Sequence, residues 1–108
     1  MIKVGLLGFG NVGQGIYTIL AQNSTLLTQR IGSPIKITKV GVRSPKKYKG
    51  LLPEKLLTTD INSILTDPDI DIIVEVMGGE TPAFEHICTA LSNKKYVVSA
   101  NKEVISKH

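Results

Sequence analysis

The apolar positions of this 108-residue chain switch between two periodicities. Near the start a short apolar run, Val4, Leu6 and Leu7, reads as a strand. Apolar residues then recur at Val12, Ile16, Ile19 and Leu20, the i, i+4, i+7, i+8 spacing of one helix face. This predicts a first helix with those four residues inward, fading near residues 29–32. Ser33-Pro34 breaks the chain, and residues 35–42 (IKITKVGV) alternate apolar and polar as a second strand. Residues 46–55 (KKYKGLLPEK) read as a polar loop, expected to be the most mobile part of the domain, and Leu56-Leu57-Thr58-Thr59 as a short edge strand. Asp60 is placed to cap a brief helix over residues 61–65, which Asp67-Pro68 stops. Residues 70–77 (IDIIVEVM) are mostly apolar and β-branched, as a parallel strand covered on both faces must be. Gly78-Gly79 ends that strand. Thr81-Pro82 opens the next helix with proline at its first position. Phe84, Ile87, Cys88 and Leu91 form its expected buried stripe, with His86 off the stripe, exposed and without a functional role. Tyr96-Val97-Val98-Ser99 is the fifth strand, and Asn101 caps a last helical stretch that runs to His108.

The junction between the first strand and the first helix reads Gly8-Phe9-Gly10-Asn11-Val12-Gly13. There each glycine has a physical task. Gly8 permits a tight turn, Gly10 lets a pyrophosphate come against the backbone, and Gly13 lets the helix pack close on the strand. The free N–H groups and positive dipole end of the helix then face the phosphates. A GxGxxG placed at a strand-to-helix junction is a far stronger sign of dinucleotide binding than the same glycines without that context. The expected fold class is therefore α/β, a Rossmann-type doubly wound parallel sheet of about five strands in the order 3-2-1-4-5, filling residues 1–108 as one domain. Its ligand should lie at the switch point between the first and fourth strands. The adenine half would sit over Gly8 to Gly13 and Arg43, and the nicotinamide half against Gly78-Gly79 and Ala100-Asn101-Lys102.

The second strand ends at Arg43-Ser44-Pro45, where an NAD-preferring fold presents Asp or Glu to the ribose 2′-OH. That carboxylate is absent. A 2′-phosphate would instead meet the Arg43 guanidinium, the Ser44 hydroxyl and the Lys46-Lys47 ammonium groups, so NADP(H) is the expected cofactor, with NAD(H) as the alternative. The formal net charge of +4 raises the question of nucleic acid. The lysines mostly fall in short local groups, Lys46-Lys47-Lys49 and Lys94-Lys95, without the run of interleaved aromatics of a single-strand binder or a recognition helix. A solvated surface beside an anionic small molecule accounts for the charge, and no nucleic-acid partner is expected. Hydrophobic content of 42 % with 20 % charged residues is that of a folded domain. No apolar run approaches the roughly 18 residues that span a bilayer. Met1-Ile2-Lys3 enters the first strand directly and leaves no room for a signal peptide, so a cytoplasmic protein without a membrane partner is expected. The lone Cys88 forms no internal disulfide and is expected in the core, and with only His86 and His108 beside it no metal site is expected.

Three segments together resemble one family. GFGNVGQGI resembles the glycine-rich opening of homoserine dehydrogenases, VEVMGG their fourth-strand ending and VVSANKEVIS their VVTANK segment. The matches are ordered and spaced as in that family and span almost the whole chain. The resemblance implies the nucleotide-binding domain of an oxidoreductase that reduces L-aspartate 4-semialdehyde to L-homoserine, in the branch leading to threonine and methionine. It implies close approach of the nicotinamide at Gly78 and Gly79 and an active-site role for Lys102, which with the turn and strand ends makes the candidate cofactor contacts Gly8, Phe9, Gly10, Asn11, Val12, Gly13, Arg43, Gly78, Gly79, Ala100, Asn101 and Lys102. Lys102 would be the catalytic residue, handling protons or polarising the aldehyde. A cation in a helix's first turn costs a few tenths of a kcal/mol against the dipole, which invites a functional reason for it. Glu75 lies inside an apolar strand, where a carboxylate is expensive unless paired, and either contacts cofactor or braces a neighbouring loop. Family members continue into a dimerisation and substrate region, so the chain reads as the N-terminal part of a longer, homodimeric enzyme, and alone is expected to bind cofactor without turnover. The competing readings are the cofactor domain of a related enzyme such as aspartate dehydrogenase, and a free-standing NAD(P)-sensing module.

Overall fold

Leu6 and Leu7 are neighbours in the first strand, so their side chains point to opposite faces, yet both are fully buried. The strand must therefore be covered on both sides. A computed structural model of the chain describes residues 1–77 and 81–99, with the backbone alone over 81–84. Its elements in order are β1 (Ile2–Leu7), α1 (Asn11–Gln22), α2 (Ser24–Ile31), β2 (Ile35–Gly41), two 3-10 turns (Pro45–Tyr48 and Glu54–Leu56), β3 (Leu57–Thr58), α3 (Ile61–Leu65), β4 (Ile72–Glu75), α4 (Thr81–Ser92) and β5 (Tyr96–Ser99). All strand pairs are parallel, in the order β3-β2-β1-β4-β5, as the pattern of alternating elements predicts. On one face Val4 and Leu6 pack with Phe9, Ile37, Val40 and Val42 beneath α1. On the other, Leu7 and Ile73 pack with Ile64, Leu65, Ile70 and Ala90 beneath α3 and α4. Each fully buried leucine of this kind contributes about 1.5–3 kcal/mol relative to exposure.

Two glycines inside strands decide how closely α3 docks. A Cβ on Gly5 would lie 2.5 Å from Ile64 Cγ2, and one on Gly41 would run into Ile61 and Ile64. Their missing side chains let this short helix press onto β1 and β2. Asp60 caps it as the sequence predicts, its Oδ1 accepting the Ser63 N–H at 3.2 Å.

Several expectations are corrected. The first helix is two helices, broken at Asn23, whose side chain donates to the Ile19 carbonyl at 2.9 Å; the second ends where expected, at Gly32 with φ +86°. On α1 the inward residues are Gly13, Ile16, Tyr17 and Leu20, whereas Val12 and Ile19 are exposed. The close seat of Gly13 on the strand turns the Gly13-Tyr17-Leu20 stripe inward and carries Val12 and Ile19 to the flank. Residues 46–55 are mostly exposed, as a polar loop should be, but they also carry two inward side chains the sequence reading did not single out: Leu52 is buried, and Tyr48 meets Phe9 edge-on with ring centroids 5.5 Å apart. Among the α4 side chains that are described the fully buried one is Ala90, while Cys88 and Leu91 are exposed; the Phe84 side chain lies outside the described residues. The small Ala90 is what lets the helix approach the sheet. His86 is half-buried instead of exposed, and its buried Nδ1 has no hydrogen-bond partner among the described residues. Lys95, expected on the solvated surface, is 6 % exposed and donates to the carbonyls of Asp67 and Ile70. Its aliphatic stem can be buried because its ammonium is satisfied by carbonyls where the chain enters β4.

Candidate functional site

The glycine turn lies where β1 hands over to α1, at the carboxyl edge of the sheet, and its three glycines occupy three different environments. Gly8 has φ +101°, in the left-handed region that favours glycine, and a Cβ there would lie 3.0 Å from the Met77 Cα and the Val76 carbonyl oxygen. Gly13 is buried, and a Cβ there would lie 2.5 Å from the carbonyl oxygen of Gly8, so α1 sits directly on the turn. Gly10 is exposed and a Cβ on it would meet nothing within 4 Å. The first and third glycines are therefore needed by the fold, and the second faces open space of the kind a pyrophosphate would use.

Gly10 is also the N-cap of α1, with no side-chain cap and no acidic residue in the first turn. The first N–H groups of the helix thus remain available to an anion. The Gly8 N–H donates to the Gly41 carbonyl at 2.8 Å, and Gln14 Nε2 donates to the Phe9 carbonyl at 2.9 Å. The turn is held from both sides before any ligand arrives. Phe9 itself is 2 % exposed, wedged between Tyr17 and Tyr48, so its side chain serves the core and only its backbone faces the turn. Asn11 and Val12 are exposed at the start of α1.

A cleft of about 300 Å³ joins this turn to the end of β2, lined by Gly8, Gly10, Arg43, Ser44, Lys47 and Met77 among others. Arg43, Ser44 and Lys47 thus line one cleft with the glycines, whereas Lys46, grouped with them in the sequence, is not among its lining residues. Tyr48 lines the same cleft, with the Lys47 Nζ 5.9 Å above its ring. Tyr48, Val76 and Met77 were not among the sequence-assigned contacts; an aromatic within a lysine-rich loop is the signal that points to Tyr48. Among the described residues, none that lines the cleft is acidic.

The β4 and β5 ends form the other half of the edge. Glu75 is fully buried, and both its oxygens accept, from the Met77 N–H at 2.7 Å and the Ser99 hydroxyl at 2.9 Å. Of the two roles its sequence context allowed, bracing is the one the contacts support. Gly78, Gly79, Ala100, Asn101 and Lys102 lie outside the described residues. Among the described residues no group of three or more His, Cys, Asp or Glu could hold a metal ion, and no helix is long and apolar enough to cross a membrane.

Comparison with known proteins agrees with this geometry. Residues 8–108 match the family model described as the NAD-binding domain of homoserine dehydrogenase. The chain is 46 % identical over 111 residues to homoserine dehydrogenase of Synechocystis sp., covering 99 % of this chain and 24 % of that protein. It is 39 % identical over 106 residues to that of Bacillus subtilis, covering 97 % and 24 % respectively. Among solved structures, a homoserine dehydrogenase from Thiobacillus denitrificans superposes with a TM-score of 0.93 at 42 % identity, over 98 % of this chain and 25 % of that one. The chain spans about a quarter of the length of these relatives. A doubly wound sheet, three glycines in three fitting environments and these matches lead to one conclusion: the chain belongs to the homoserine dehydrogenase NAD-binding domain family.

Proposed function

We propose that this chain is the N-terminal domain, residues 1–108, of a homodimeric cytoplasmic homoserine dehydrogenase that reduces L-aspartate 4-semialdehyde to L-homoserine, with NADP(H) preferred over NAD(H). The observation that carries the reading is the contrast between Gly10, open to solvent, and the tightly packed Gly8 and Gly13. When bound, the dinucleotide supplies the hydride. The chain's own groups bind and orient it. Backbone N–H groups from Gly10 to Gly13 face the pyrophosphate, and Arg43, Ser44 and Lys47 face a ribose 2′-phosphate, where a guanidinium gives charge-assisted, bidentate hydrogen bonds. Gly78, Gly79, Ala100 and Asn101 line the nicotinamide half, and Lys102 holds or delivers a proton at the aldehyde oxygen.

Hydride transfer needs the reacting groups held within about 3–3.5 Å of one another. Family resemblance puts the substrate-holding residues outside this domain, so the 108-residue chain is expected to bind cofactor without turning over. In a full-length enzyme, Lys102→Ala should lower kcat by about 10²–10⁴-fold, the range for a positioned acid or base, with NADPH affinity little changed. Lost cofactor binding with kcat intact would make Lys102 a phosphate or ribose ligand. Turnover of the aldehyde by the 108-residue chain would overturn the division of labour.

A further inference from the structure

A fully buried carboxyl is expensive, and an apolar side chain of similar size commonly serves a sheet as well or better. Glu75 nevertheless ends β4 fully buried, in the same sheet register as Ser99 at the end of β5. What its carboxyl adds is direction. The Oε2 bond to the Met77 N–H fixes the path of the chain as it leaves β4, and the Oε1 bond to the Ser99 hydroxyl ties that path to the last residue of β5. The glycine turn has anchors besides its contact with the Val76-Met77 backbone, because the Gly8 N–H donates to the Gly41 carbonyl and Gln14 Nε2 to the Phe9 carbonyl. In doubly wound sheets ligands bind outside the carboxyl ends of the strands at the switch point, and Val76 and Met77 form the β4 side of the cleft that begins at the glycine turn.

We propose that Glu75 is a positioning residue for the nicotinamide half of the bound cofactor, clipping the Met77 end of β4 to the Ser99 end of β5. The inference rests on the dinucleotide reading above. It divides the site into an adenosine half built on the glycine turn and a ring half whose spacing Glu75 sets.

The test uses the 108-residue chain and two probes: NADPH, followed by the fluorescence polarisation of its reduced ring, and 2′-phospho-ADP-ribose, which lacks the ring. Glu75→Ala should weaken NADPH about tenfold, the scale of one lost hydrogen bond, and leave 2′-phospho-ADP-ribose within about twofold. Glu75→Gln should restore NADPH binding, because its carboxamide oxygen can accept the Met77 N–H while its NH₂ donates to Ser99 Oγ. If Glu75→Ala does not fold, Ser99→Ala, which removes the donor to Oε1, is read in the same way. Equal losses for both probes, failure of Glu75→Gln to rescue, or a wild-type chain that binds 2′-phospho-ADP-ribose without ordering the reduced ring would overturn the proposal. A wild-type chain that binds neither probe would instead remove the dinucleotide reading beneath it.

Discussion

The two ends of the sheet satisfy their buried polar groups alike and differ in what surrounds them. At the amino end Lys95 is buried against the carbonyls of Asp67 and Ile70, and nearby the exposed Asp71 carboxylate accepts the Lys3 N–H at 2.9 Å. These groups are satisfied by the protein's own backbone. At the carboxyl end Glu75 is equally well satisfied, but it sits beside an uncapped helix terminus, an open glycine and an exposed arginine. Burial and hydrogen bonding therefore do not distinguish a stabilising group from a functional one. Its neighbours do: the uncapped first turn of α1, the open Gly10 and the basic side chains of Arg43 and Lys47 gather at the carboxyl end.

Three substitutions sharpen that contrast. Gly10→Val, at the carboxyl end, should leave the thermal midpoint nearly unchanged and reduce NADPH affinity more than about a hundredfold, because the branched side chain fills space no protein atom uses. Undiminished affinity in the folded variant would make the glycine turn purely structural. Lys95→Met, at the amino end, should do the reverse. Two backbone carbonyls lose their donor, so denaturant unfolding should register a loss of about 1–3 kcal/mol, with NADPH affinity of the folded protein unchanged. A binding defect there would break the separation of the ends. Arg43→Ala is the mildest. It should lower the NADPH-to-NADH affinity ratio by about tenfold at low salt and by less at high salt, since an exposed guanidinium is screened. A ratio unchanged by the substitution would dismiss Arg43 as the 2′-phosphate contact.

Much of this was legible in the sequence because apolar periodicity and punctuation point the same way. The strand order followed from a glycine turn at the first strand-to-helix junction, and Asp60 announced the start of α3. What escaped has a common physical cause: counting apolar side chains is blind to missing ones and to amphipathic ones. Gly5 and Gly41 matter through the space they leave for Ile61 and Ile64. Gly13 and Tyr17 turned α1 away from the face its aliphatic residues marked, and Ala90 did the same for α4. Lys95 reads as half of a surface pair with Lys94 until the carbonyls it reaches, 28 and 25 residues back, are brought beside it. At the site, residue types were legible where the chemistry is local, as at Gly8-Gly10-Gly13 and Arg43. The link between Glu75 and Ser99 joins two strands 24 residues apart and is visible only in the folded sheet.

The central claim is that the carboxyl end of this sheet binds a nicotinamide dinucleotide across the glycine turn. It is tested most directly by titrating the ¹⁵N-labelled chain with NADPH and following every backbone amide. The account predicts saturable shifts concentrated at residues 8–13, at Arg43 to Tyr48 and at Val76-Met77, with Lys3, Asp71 and Lys95 at the opposite end unmoved. Shifts centred on the amino end, or none at saturating cofactor, would contradict it.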